Sequence, residues 1–255
     1  MEKFFNRFIP IISSLVIFGL LIQIARLPQQ IYLYGSFAVG IVFLTVWQIT
    51  GRKLFSEKFW RFLITPAILI VGGLYFYIFL EGKNLQWLSV GVITIMLWSY
   101  FEVIVLRFHF RPRYQPHSLE NISSHLNLIA IFMTASGLFG QKIFLGISIW
   151  WCLAFIVLTT ALLTYQLVLT SGASLAGGWM YIAVITLIIS QLFWAVSFLP
   201  TSMYVNALLI TIGYYLMSGL VRNWLLEIKE KKVIARYVIT AVLATVITLA
   251  TAKWF

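Results

Sequence analysis

Apolar positions along this chain fall into runs of about twenty residues, the length needed to cross a bilayer as a helix. They do not show the strict alternation of a half-buried strand. Nine runs stand out: 8–25, 31–50, 62–80, 87–106, 123–140, 144–168, 178–198, 203–221 and 237–254. Short linkers separate them, the largest at 51–61, 107–122 and 222–236. In hydrocarbon every backbone donor and acceptor needs a partner within the protein, so such runs predict helices; a β-barrel would show shorter, alternating segments. The pattern predicts an all-α, polytopic transmembrane helical bundle, a single integral membrane domain over 1–255 with no soluble domain. Gln141-Lys142 interrupts one apolar stretch, so 123–140 and 144–168 could form one broken unit, and the chargeless Thr170 to Gly178 linker gives no orientation signal; seven spans, also an odd number, is the alternative to nine.

The first apolar run follows Met1-Glu-Lys-Phe-Phe-Asn-Arg7, as in a signal peptide. Gln23 and Ala25 make a poor small-x-small cleavage site, so the run is read as a retained first span. Pro66 falls in the first turn of its predicted span, where a missing amide costs little. The last run carries Thr240, Ala244, Thr248 and Ala252 at four-residue spacing, a seam that allows close helix approach.

Composition agrees with the pattern. Hydrophobic residues make up 62% of the chain and charged residues only 10%, with a mean hydropathy of +0.97. Globular domains carry about 25% charged residues, so an ordinary soluble protein is excluded. The net charge of +11 would suggest nucleic acid on a soluble protein. Here it tests orientation, because Lys and Arg concentrate in cytosolic loops. With the N-terminus in the cytosol, that side holds Lys3, Arg7, Arg52, Lys53, Lys58, Arg61, Arg107, Arg111, Arg113, Arg222, Lys229, Lys231, Lys232 and Arg236. The other side holds Arg26, Lys83, Lys142 and Lys253. The division predicts a cytosolic N-terminus, an external C-terminus and an odd number of spans. It assigns most of the surplus charge to orientation and to anionic lipids on the cytosolic face, with no nucleic-acid partner.

Candidate chemistry is sparse. Glu102 is the one acid inside an apolar run, near its cytosolic end and within expected reach of Arg107 or the 51–61 loop. An intramembrane acid is a functional candidate by default, and an interfacial, paired carboxylate is the plainer alternative. The three histidines, His109, His117 and His125, cluster on the cytosolic side. They lack accompanying Cys or Asp and the helical spacing of a metal site, with only Glu120 as an extra ligand, so no metal and no cofactor are expected. Arg107-Phe-His-Phe-Arg-Pro-Arg-Tyr114 alternates cations with rings. That arrangement suits headgroups and makes Arg107, His109, Arg111 and Arg113 candidate lipid-headgroup ligands. His125, beside Ser123 and Ser124, and Glu102 are the candidate catalytic bases. The seventh and eighth spans show polar faces, Thr186, Ser190, Trp194 and Ser197 on one and Tyr204, Thr211, Tyr215, Ser218 and Arg222 on the other. With the amides of Gln191 and Asn206 they predict a polar interior, for interhelical bonds or a ligand cavity.

Missing residues exclude more than present ones suggest. All seven acids are Glu. Membrane prenyltransferases and CDP-alcohol phosphotransferases hold Mg²⁺ with aspartate-rich motifs, and intramembrane aspartyl proteases need their aspartates, so all three are excluded. Thr134-Ala-Ser-Gly137 lacks the first glycine of a rhomboid GxSG, and no histidine follows residue 125. Lys253 is too near its span's end for a retinal Schiff base. The one cysteine, Cys152, lies inside a span and permits no intrachain disulfide.

The stretch Phe193-Trp-Ala-Val-Ser-Phe-Leu-Pro-Thr-Ser-Met-Tyr-Val-Asn206, followed by Tyr214-Tyr215 and a basic segment, resembles uncharacterised multi-spanning membrane proteins of reduced-genome bacteria of the candidate phyla. The resemblance implies the bacterial cytoplasmic membrane and no activity. The reading is a non-enzymatic membrane protein that binds partner helices or lipids as a subunit or scaffold. Its alternatives are a carrier or flippase using the polar faces of spans seven and eight, and a headgroup-modifying enzyme using Glu102 or His125.

Overall fold

The computed structural model describes residues 2–51, 56–110, 118–171, 175–225 and 230–254. Among them lie nine α-helices: α1 (Glu2–Arg26), α2 (Ile31–Ile49), α3 (Glu57–Ile78), α4 (Lys83–His109), α5 (Ser118–Leu145), α6 (Ile149–Thr170), α7 (Leu175–Val196), α8 (Met203–Leu225) and α9 (Lys231–Thr251). All nine are long and apolar enough to cross a membrane, and the chain is a multi-pass membrane protein. The stretch 123–168 is two helices and not one broken unit: Gly146, at φ 62°, turns the backbone between α5 and α6. The two helices then run back against each other. The Asn127 side-chain amide donates to Gln166 at 2.9 Å, and the Cys152 thiol approaches the Leu138 carbonyl at 3.7 Å.

Several helices outrun their apolar runs because polar ends continue them. The Ser56 hydroxyl caps α3 by accepting from the Phe59 amide at 3.2 Å, with Glu57 in the first turn where the helix dipole favours an acid. This longer α3 corrects the placement of Pro66, which sits in the helix interior. A proline there cannot donate to the carbonyl four residues back. That carbonyl, of Phe62, instead accepts from the buried Tyr100 hydroxyl of α4 at 3.1 Å. The break in one helix thus becomes a bond between two.

Two compact units follow each other, Met1–Leu126 and Asn127–Phe255, with the boundary inside α5. In the first, α1 packs on α2 and α4, α2 on α3, and α3 on α4, so four helices close a ring. Its core is filled by Ile17, Val42, Leu69, Leu97 and Phe101. The turn between α3 and α4 is tied by Gln86, which donates to the Leu80 carbonyl at 3.1 Å and accepts from Tyr77 at 3.3 Å.

In the second unit α6, α7, α8 and α9 pack each on the next, and α6 also meets α8. Phe139 of α5 stacks on Phe193 of α7 with centroids 4.4 Å apart. α9 lies against α8 at Gly219, where a Cβ would run into the ring of Tyr237. The Tyr237 ring also meets Tyr215, centroids 5.2 Å apart. Of the small-residue seam on α9, Thr248 is buried and Ala244 and Ala252 half-buried, whereas Thr240 is exposed. The buried part of that seam is used within this chain.

Tyr100→Phe strands the Phe62 carbonyl and is expected to cost about 1–3 kcal/mol, the price of an unsatisfied buried acceptor. Adding Pro66→Ala restores the helical donor and recovers most of that loss, read by reversible unfolding in mixed detergent micelles. Gly219→Ala forces α8 and α9 apart and lowers stability by about 1–3 kcal/mol in the same assay, as overpacked sites do.

Candidate functional site

Among the described residues, an ion pair between two helices lies where α4 meets the start of α5 in the first unit. The C-terminal turn of α4 presents Arg107, and the first turn of α5 presents Glu120. Arg107 Nη1 and Glu120 Oε1 are 3.2 Å apart, with side chains 32% and 16% exposed. The guanidinium also lies 5.8 Å from the Phe62 ring centroid, and Phe62 meets Phe108 edge-to-face at 5.5 Å. Each charge sits at the end of the helix dipole that favours it, Arg at a C-terminus and Glu at an N-terminus. The other Glu120 oxygen, Oε2, is buried without a hydrogen-bond partner. Just inside this pair, the Tyr100 hydroxyl lies beside Thr65 and Ser123, and the Ser123 hydroxyl is buried and unbonded.

Sequence reasoning missed Glu120 as the partner of Arg107. It placed Glu102 within reach of Arg107 or of the 51–61 loop; Glu102 is half-buried on α4 and forms no ion pair among the described residues. A signal was present: α4 and α5 form a hairpin, and positions 107 and 120 lie at matching distances from its middle. His125 is exposed and uses Nδ1 on the Asn121 carbonyl of its own helix at 2.7 Å. Glu102 lies on α4 and His125 on α5. His109 is half-buried, with Nδ1 buried and unbonded. Arg111, Arg113 and His117 lie outside the described residues.

The polar faces of α7 and α8 differ from the expected interior. Gln191 is exposed, which corrects its assignment to an inward face. Asn206 is buried, and its side-chain oxygen accepts from the Thr201 hydroxyl at 2.6 Å in the first turn of α8. Tyr215 is half-buried against Tyr237. Ser190, Ser197 and Thr211 donate to carbonyls of their own helices, Leu187, Trp194 and Ala207, at 2.7–2.8 Å. This local bonding satisfies each hydroxyl without a neighbour.

The buried polar layer of the second unit lies instead between α5, α6 and α8. Beyond the Asn127–Gln166 bond it contains Tyr214, whose hydroxyl is close to Thr164, and Thr134 on the Asn127 face of α5. The Thr134 hydroxyl and the Gln166 amide nitrogen are buried without partners. None of these groups is charged. Such a layer fixes helix register, and it offers hydrogen bonds but no acid or base. Among the described residues no group of three or more His, Cys, Asp or Glu could hold a metal ion.

A model of the family described as "Protein of unknown function (DUF5656)" matches residues 14–251. No curated protein and no solved structure matches the chain.

Arg107→Gln leaves the half-enclosed Glu120 carboxylate without its cation and is expected to cost about 1–2 kcal/mol, between the values for exposed and buried pairs. Arg107→Gln with Glu120→Gln should recover most of it. Detergent unfolding of the single and double variants measures the coupling.

Proposed function

Taking as premise that the chain belongs to the DUF5656 family, whose function is unknown, we propose that it is a non-enzymatic membrane protein binding lipids or partner helices as a subunit or scaffold. The observation that carries this reading is α9. Only 11% of its most apolar window is buried, against 28–56% in the other eight helices. Ile239, Leu243, Val246 and Ile247 are all more than half exposed. A helix attached along one side leaves most of its circumference to a lipid or to another protein's helix.

The polar groups support the same reading. Arg107 and Glu120 neutralise each other, Ser190 of α7 and Thr211 of α8 bond within their own helices, and His125 is held to its own backbone. A carrier or a headgroup-modifying enzyme would draw on those same groups. The proposed location is the bacterial cytoplasmic membrane, with the cation-rich ends facing anionic lipids of the cytosolic leaflet.

Native mass spectrometry of the full chain released from nanodiscs tests the proposal. The expected spectrum shows the chain carrying retained lipid or a stoichiometric partner protein. A bare monomer under the mildest activation overturns it.

A further inference from the structure

α7 and α9 both pack on α8, and between them runs a groove of about 490 Å³. Leu192 and Val196 of α7 form one wall, Leu209 and Leu216 of α8 the floor, and Val246 and Leu249 of α9 the other wall. The polar side chain among the lining residues is Thr245, whose hydroxyl donates to the Ala241 carbonyl at 2.8 Å and so offers no donor to a ligand. Trp254 closes the end near the α7–α8 turn, and indole favours the membrane interface.

Surface chemistry and charge indicate the occupant. The lining is almost wholly aliphatic carbon, which suits a hydrocarbon tail. The same end carries two cations. Lys142 donates from Nζ to the Ser197 carbonyl at 2.6 Å and lies 5.5 Å from the Phe198 ring centroid. Ser197 and Phe198 connect Val196 and Leu199, both of which line the groove. An ammonium has three donors, so this bond leaves others for an anion. Lys253 is exposed and adjoins Trp254.

We propose that the groove between α7, α8 and α9 seats one acyl chain of an anionic phospholipid, with its phosphate at Lys142 and Lys253. The inference deepens the lipid-binding half of the proposed function and rests on it.

The test uses the full chain in mild detergent, titrated with phosphatidylglycerol or phosphatidylcholine of identical chains and read by native mass spectrometry. Val242→Trp and Val246→Trp fill the groove from positions 55% and 58% exposed, so they add bulk without displacing the core. Leu243→Trp, 56% exposed and outside the groove, is the control. Wild type and the control should retain phosphatidylglycerol, and the two groove variants should hold it about tenfold less well. Lys142→Gln with Lys253→Gln should abolish the preference over phosphatidylcholine. Circular dichroism and gel filtration confirm that each variant remains folded.

Phosphatidylglycerol retained by Val246→Trp and Val242→Trp as by wild type overturns the groove assignment while leaving lipid binding elsewhere intact. A bare wild-type chain overturns both proposals. A co-purifying protein displaced by Val246→Trp assigns the groove to a partner helix and overturns the acyl seat.

Discussion

Hydrocarbon supplies no hydrogen bonds, so each backbone group freed inside a span must be answered from within the protein. Pro66 removes one helical donor in the middle of α3, and the Tyr100 hydroxyl answers the Phe62 carbonyl from α4. The same constraint operates at helix ends. Lys142 serves the Ser197 carbonyl at the end of α7, and Gln86 serves Leu80 beyond α3. Residues that would otherwise be incidental thereby become structural ties. They hold neighbouring helices at set heights, which packing of smooth apolar faces cannot do alone.

The ionised groups obey a related economy. Arg107 and Glu120 come from adjacent helix ends of opposite dipole sign and meet over the Phe62 ring, where a lone charge would be costly. The second unit uses uncharged groups for its buried layer, the amides of Asn127 and Gln166 and the hydroxyls of Thr134, Thr164 and Tyr214. Neither arrangement brings an acid, a base and a nucleophile together. Both leave the outer apolar surface as the principal means of meeting another molecule.

The nine spans were legible because length and hydropathy alone determine whether a segment crosses a bilayer. The break at Gly146 was less legible, since a polar Gln-Lys pair marks a turn or an interruption equally well. Pro66 was misplaced because polar residues from Glu57 extend α3 beyond its apolar run, and hydropathy does not register that extension. At the site, periodicity identified which helix faces carry polar residues but not which way those faces turn. Gln191 faces outward although it shares a helix with buried Phe193. Serine and threonine were ambiguous for a further reason, since each can bond to its own helix or to a neighbour with the same sequence pattern. Glu120 was not legible as the partner of Arg107 because periodicity within each helix does not show which side chains meet across two helix ends.

Attachment along a single seam also has a kinetic meaning for α9. Stability is unevenly distributed in proteins, and elements with few buried contacts open at the lowest free energy. α9 has the least buried apolar window of the nine, and its contact with α8 is concentrated around Tyr237, Ala241 and Thr248. Because α9 packs on α8, while α6, α7 and α8 also pack on one another, loss of the α9 contact would leave those other contacts in place.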